Sequence, residues 1–119
     1  MEIFKEFRFE AAHRLSNLPP THKCHRLHGH SYTVRVVVRG PVSPETGWVM
    51  DFADIKRAMA PLIEQLDHQY LNEVEGMGIP TTENLARWVW LRLVPALPGH
   101  ARLEVRETDS SGCIYAGEG

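Results

Sequence analysis

The stretch that most constrains this protein is Cys24-His25-Arg26-Leu27-His28-Gly29-His30, which runs directly into the alternating apolar series Tyr32, Val34, Val36 and Val38. Alternation of that kind predicts a β-strand, and residues two apart on a strand share a face, so His28 and His30 point the same way. Their Cα atoms fall about 6–7 Å apart, twice the strand rise, close enough for both rings to lean onto one ion. Upstream, in Phe7-Arg8-Phe9-Glu10-Ala11-Ala12-His13, the odd positions are Phe, Phe, Ala and His, so His13 shares the inward face of a first strand. If the two strands pair antiparallel, His13 closes one where His28 and His30 open the other. Three imidazoles on a rigid sheet end, with no fourth obvious ligand, match a catalytic zinc with an open position; structural zinc takes four protein ligands. A lone buried histidine is more often an ordinary core residue. It is the combination of His13, His-Gly-His and a nearby thiol that carries the metal reading.

Length and charge bound the rest. The 119 residues make a single domain, 1–119, large enough for one core. The formal net charge of −2 comes with no long basic block, which argues against a nucleic-acid partner. No apolar run approaches the 18 or so residues of a membrane span, and Met1-Glu2-Ile3-Phe4-Lys5-Glu6 is charged and alternating, unlike a signal peptide. The two cysteines, Cys24 and Cys113, could pair, but without an export signal a reducing cytoplasmic setting is the expectation, leaving Cys24 free.

The elements follow in the order ββααββ. Strands are expected over 3–13 and 29–40, joined by a long connection over 14–27 that carries Cys24. Asp51 caps a first helix whose stripe is Phe52, Ile55, Met59, Leu62, Ile63 and Leu66, ending near Asp67-His68. Thr81 or Thr82 caps a second, with Leu85, Trp88, Val89 and Leu93 inward and Pro95 beyond its end. Strands over 101–107 and 113–116 complete the sequence. This is an α+β domain: a four-stranded antiparallel sheet with two helices packed on one face. Its two edge strands invite association.

Three further groups carry chemistry. Cys24 lies on the loop that delivers the metal ligands, where a nearby zinc ion and the basic Lys23 and Arg26 would favour the thiolate, suited to act as base or nucleophile. Asp67-His68 offers an acid/base pair in which the carboxylate orients the imidazole, although an exposed ion pair explains that dipeptide equally well. Glu107 shares the parity of Leu103 and Val105, so its carboxylate faces inward and needs a partner. A guanidine-like pair of N–H donors would fit it bidentately. Arg102 and Arg106 point to the other face.

Taken together, Cys24-x-x-x-His28-Gly29-His30, His13 within Glu-Ala-Ala-His-Arg-Leu, Asp51-Phe52 after Gly47-Trp48, Leu66-Asp67-His68-x-Tyr70-Leu71-Asn72, Pro80-Thr81-x-Glu83-Asn84-Leu85 and Glu107-Thr108 before Gly112-Cys113 resemble the 6-pyruvoyltetrahydropterin synthase superfamily over about residues 3–117. The three-residue gap between Cys24 and His28 is similar to the 6-carboxytetrahydropterin branch that serves queuosine biosynthesis. The resemblance implies a tunnelling fold whose subunits join edge to edge into barrel-forming trimers, stacked commonly as hexamers. It implies zinc on His13, His28 and His30, a base at Cys24, a proton relay through Asp67 and His68, and a pterin anchor at Glu107. Thr81 and Thr82 would assist pterin binding from a neighbouring subunit. The implied activity is a lyase reaction: 7,8-dihydroneopterin triphosphate gives 6-carboxy-5,6,7,8-tetrahydropterin, acetaldehyde and triphosphate. Lys23, Arg14 and Arg26 are candidates for the phosphates. His25, directly after the cysteine, departs from the smaller residue common in that branch and could perturb Cys24 or compete as a ligand; His22 has no assigned role. Two alternatives stay open: a 6-pyruvoyl-type synthase that stops at triphosphate elimination, and a non-catalytic zinc-stabilised binding module.

Overall fold

The period-two segments form the longest strands. In the computed structural model, which describes residues 1–119, the elements are β1 (Glu2–His13), β2 (His28–Arg39), α1 (Phe52–Leu66), β3 (Gln69–Tyr70), α2 (Thr82–Leu93), β4 (His100–Thr108) and β5 (Ser111–Tyr115). They build one sheet in the order β3-β1-β2-β4-β5. β1 and β2 pair antiparallel along their whole length, with Phe9 opposite Tyr32, Ala11 opposite His30 and His13 opposite His28.

Both helices start where side-chain oxygens can satisfy free backbone donors. Asp51 accepts from the Ala53 N–H at 2.9 Å, and Thr81 accepts from the Asn84 N–H at 3.1 Å. Their apolar stripes lie on one face of the sheet. Ile55, Met59, Leu66, Leu85, Val89 and Leu93 meet Val34, Val36, Leu103 and Val105, all fully buried. Each such side chain contributes about 1.5–3 kcal/mol relative to exposure. The opposite face is a grid of charges in which Glu2, Glu6 and Glu104 pair with Arg35, Arg39, Arg102 and Arg106.

The expected sheet of four antiparallel strands gains a fifth, β3, which runs parallel to β1 beside Ala11 and Ala12. Leaving α1, the backbone turns at His68, which adopts φ 59°, and is caught by Glu10: the His68 N–H donates to the Glu10 carbonyl at 2.6 Å, and the Glu10 N–H donates to Asp67 Oδ1 at 2.9 Å. Two residues are too few to show a period, so only these long-range bonds reveal the strand. β5 also begins earlier than expected, at Ser111, because the Asp109-Ser110 turn is tight.

Candidate metal centre and its surroundings

The helix-facing side of β1 and β2 is apolar until its last rungs, where Tyr32 gives way to His30, His28 and His13. One donor atom from each of the three histidines lies within 4.8 Å of the others. The rings stand edge to face, with centroids 4.5 to 5.0 Å apart. His13 is 2% exposed, and its Nδ1 lies 2.7 Å from the Pro80 carbonyl just before α2. His28 Nδ1 lies 2.7 Å from the Arg26 carbonyl. A carbonyl only accepts, so each ring carries its proton on Nδ1 and leaves Nε2 with a lone pair.

Those two Nε2 atoms face each other at 2.9 Å. Nitrogens at that distance need a proton or a metal ion to share, and tautomers fixed by carbonyl acceptors are how proteins prepare imidazoles to bind metal. Burial pulls the His30 ring below the ordinary histidine range; the Glu107 charge opposes this, and His13 and His28 reinforce it. The donor set suits a borderline ion such as zinc. These three residues could hold a metal ion.

Glu107 stands beside this trio, its carboxylate reaching two of the three rings. Its Oε1 is 3.2 Å from His30 Nε2 and 3.7 Å from His13 Nε2, while Oε2 accepts from the Thr82 hydroxyl at 3.2 Å. The strand that carries it does not pair evenly. Arg106 faces Gly112 and Thr108 faces Ser111, so Glu107 is the extra residue of a β-bulge, a device that re-aims a side chain. Only glycine permits it, because a Cβ on Gly112 would lie 2.3 Å from the Val105 carbonyl oxygen. A glycine inside a strand pattern is the signal that could have located the bulge. Burial, then the Glu107 charge, push the Tyr32 phenol well above its usual range, so it stays protonated, 3.3 Å from His13 Nδ1.

Cys24 sits in a single 3-10 turn, Lys23–His25, on the connection from β1 to β2. Its carbonyl accepts from the Leu15 N–H at 2.8 Å, tying the turn to the backbone just past His13. Asp67 and His68 lie on the β3 side of β1. Their side chains pair at 3.0 Å, and the Glu10 N–H, then His68, hold the Asp67 carboxyl below the usual carboxylate range. No hydrogen bond or ring contact joins His68 to the three histidines; His68 lines an open cleft of about 570 Å³ with Glu10, Ala12, Gly29, Ser31 and Tyr70, and His30 also contributes to its wall. Thr81 is committed to capping α2 and Thr82 to Glu107, so within one subunit both serve the site indirectly. Lys23 and Arg26 make no ion pair, whereas an Arg14 Nη2–H donates to His25 Nε2 at 3.0 Å. The Pro80 and Arg26 carbonyls, which set the tautomers, are backbone groups that no side-chain pattern announces.

Comparison with known proteins narrows what such a site serves. The model of the 6-pyruvoyl tetrahydropterin synthase family matches residues 2–118. The protein is 46% identical over 121 residues to 6-carboxy-5,6,7,8-tetrahydropterin synthase from Synechocystis sp., with 95% of its own length and 91% of that protein's covered. It is 36% identical over 137 residues to human 6-pyruvoyl tetrahydrobiopterin synthase, covering 98% and 92%. The solved structure of 6-pyruvoyl tetrahydropterin synthase from Caenorhabditis elegans superposes with a TM-score of 0.91 at 28% identity, covering 99% and 96%. A family match over nearly the whole length, on a fold that gathers three histidines at one sheet end, establishes that the protein belongs to the 6-pyruvoyl tetrahydropterin synthase family.

Proposed function

We propose that this protein converts 7,8-dihydroneopterin triphosphate and water to 6-carboxy-5,6,7,8-tetrahydropterin, acetaldehyde and triphosphate, as a step toward queuosine, with zinc held by His13, His28 and His30. The observation that carries this reading is the pair of Nε2 lone pairs facing each other at 2.9 Å beside His30. Choice of this reaction within the family rests on the 46% identity to a protein of that name and on the three-residue gap before His28.

Bound zinc supplies Lewis-acid stabilisation of negative charge developing on the substrate's tail. The protein's own residues do the rest. Glu107, aimed by its bulge, takes the paired N–H donors of the pterin's guanidine-like edge, as carboxylates take Arg. Thr82 holds the other carboxylate oxygen and keeps the group from swinging. Cys24 acts as base on a carbon of the substrate's tail, and the triphosphate leaves with the electron pair of the C–O bond it breaks. Asp67 orients His68 as the proton relay. Cleavage of a carbon–carbon bond within that tail then releases acetaldehyde.

We further propose a ring of subunits. β1 is unpaired on its outer side except beside β3, and β5 is the opposite edge. The strands alternate direction from β1 through β2 and β4 to β5, so β5 of one copy meets β1 of the next antiparallel. Such an edge-to-edge ring fits trimers stacked as a hexamer. Two free thiols suit a cytoplasmic setting.

Incubating the zinc-loaded protein with dihydroneopterin triphosphate and identifying the products by mass tests the reading. Acetaldehyde with the 6-carboxy product is expected. A 6-pyruvoyl product would favour the reaction named for the human relative, and no turnover in the loaded protein would leave a binding module.

A further inference from the structure

His25 admits two readings from sequence, a competing metal ligand or a neighbour that perturbs Cys24. Its ring nitrogens are both engaged elsewhere. Nδ1–H donates to the Leu18 carbonyl at 2.9 Å, and Nε2 accepts from Arg14 Nη2–H at 3.0 Å. That pair of bonds fixes a neutral tautomer and excludes His25 from the metal centre. It also spans the connection between β1 and β2. Arg14 is anchored at the base of the loop, where its N–H donates to Asn72 Oδ1 at 3.0 Å and its carbonyl accepts from Asn72 Nδ2 at 2.9 Å. Leu18 lies four residues further along the same limb, so both His25 bonds reach back from the Cys24 turn to the limb that leaves β1. The Cys24 turn is otherwise held by local bonds, the Cys24 N–H to His22 Nδ1 at 3.0 Å and the His25 N–H to the His22 carbonyl at 3.0 Å, and by the single Leu15–Cys24 backbone bond. His22 thus gains a role as the cap of that turn.

We propose that His25 is a positioning residue: with Arg14 it forms a latch that holds the Cys24 turn against the end of β1 and so sets the placement of the thiol, without touching substrate. The proposal rests on the reading of Cys24 as the acting base. A fourteen-residue connection would otherwise sample many conformations, and a displacement of about 1 Å at a catalytic group can cost on the order of a hundredfold in rate.

The test uses the zinc-loaded full-length protein and the variants His25→Ala and His25→Gln. Gln can place its amide oxygen near the Nε2 position and accept from Arg14. Alkylation of Cys24 by iodoacetamide is followed by peptide mass, with Cys113, which burial and the Glu83 charge hold above the usual thiol range, as internal reference. His25→Ala should keep its zinc, change the Cys24 alkylation rate while leaving Cys113 unchanged, and lower kcat about tenfold or more with KM nearly constant. His25→Gln should recover most of both losses. Unchanged Cys24 alkylation and kcat in His25→Ala would overturn the latch, as would a His25→Gln protein no better than His25→Ala. Full turnover in Cys24→Ala would instead overturn the reading of Cys24, while the alkylation rates would still decide whether the latch exists.

Discussion

Removing His28 isolates what the metal contributes, because its ring is only partly buried and its one hydrogen bond outside the trio is to an exposed carbonyl. Replacing His13 would confuse the issue: that ring is 2% exposed, and its loss would strand the buried Pro80 carbonyl at about 1–3 kcal/mol. In His28→Ala the metal-free protein should be no less stable than the parent, since the substitution deletes one of two lone pairs opposed at 2.9 Å. With zinc at about a thousand times its dissociation constant, the parent gains about 4 kcal/mol by linkage. At roughly 4 °C per kcal/mol for a domain of this size, that is a rise in Tm of about 16 °C. Loss of one donor of three weakens binding by at least the roughly hundredfold seen when an outer-shell partner is lost. At the same free zinc the gain then falls to about 1.4 kcal/mol, or about 6 °C. Scanning calorimetry of both proteins at one protein concentration, chelated and zinc-saturated, with bound metal counted by mass spectrometry, reads all four numbers. A zinc-dependent rise in His28→Ala equal to the parent's would refute the three-histidine site. So would a metal-free variant destabilised as strongly as a core substitution.

Four further outcomes follow from the geometry. Cys24→Ala should keep metal and fold while losing about 10²–10⁴ in kcat, the usual worth of a positioned base; turnover at the parent rate would remove Cys24 from the chemistry. Glu107→Ala should chiefly weaken pterin binding, which titration calorimetry with a non-reacting pterin can measure, and unchanged affinity would mark the carboxylate as structural. Gly112→Ala should cost about 1–3 kcal/mol in chemical denaturation, because a Cβ would lie 2.3 Å from the Val105 carbonyl oxygen and the bulge cannot absorb it without moving Glu107. Asp67 is held below the ordinary carboxylate range, so its contribution to stability is complete above that range and is lost as pH falls through the lowered value. A carbon-13 titration of its carboxyl should therefore run acid of a model aspartate, and a midpoint in the ordinary range would contradict the Glu10 and His68 contacts.

The contrast between Glu107 and His68 shows what a sequence of this kind reveals. Parity places His13, His28 and His30 on the helix-facing side of the sheet, because a strand's period of two is enforced by burial of their neighbours Phe9, Ala11, Tyr32 and Val34; it points Glu107 the same way after Leu103 and Val105, but the bulge at Glu107 completes its aim. A residue two places beyond a buried one has nowhere else to point. The helix caps at Asp51 and Thr81 are legible for a similarly local reason, since each oxygen bonds a backbone donor within three residues. His68 obeys no such rule. It sits at φ 59°, unusual for a residue other than glycine, and its place on the cleft depends on Glu10, far upstream, accepting its N–H and donating to Asp67. The same holds for the Arg14–Asn72 clamp and the bonds that orient His25, which join residues whose types alone do not predict partnership. The three histidines proposed to hold the metal are thus set by the regular sheet, whereas the groups proposed to move protons, Cys24 and His68, are set by irregular segments that cross its end. Substitutions at Asn72 should therefore disturb chemistry before they disturb metal binding, the reverse of substitutions at Phe9 or Tyr32, whose stacked rings support the strands beneath the three histidines.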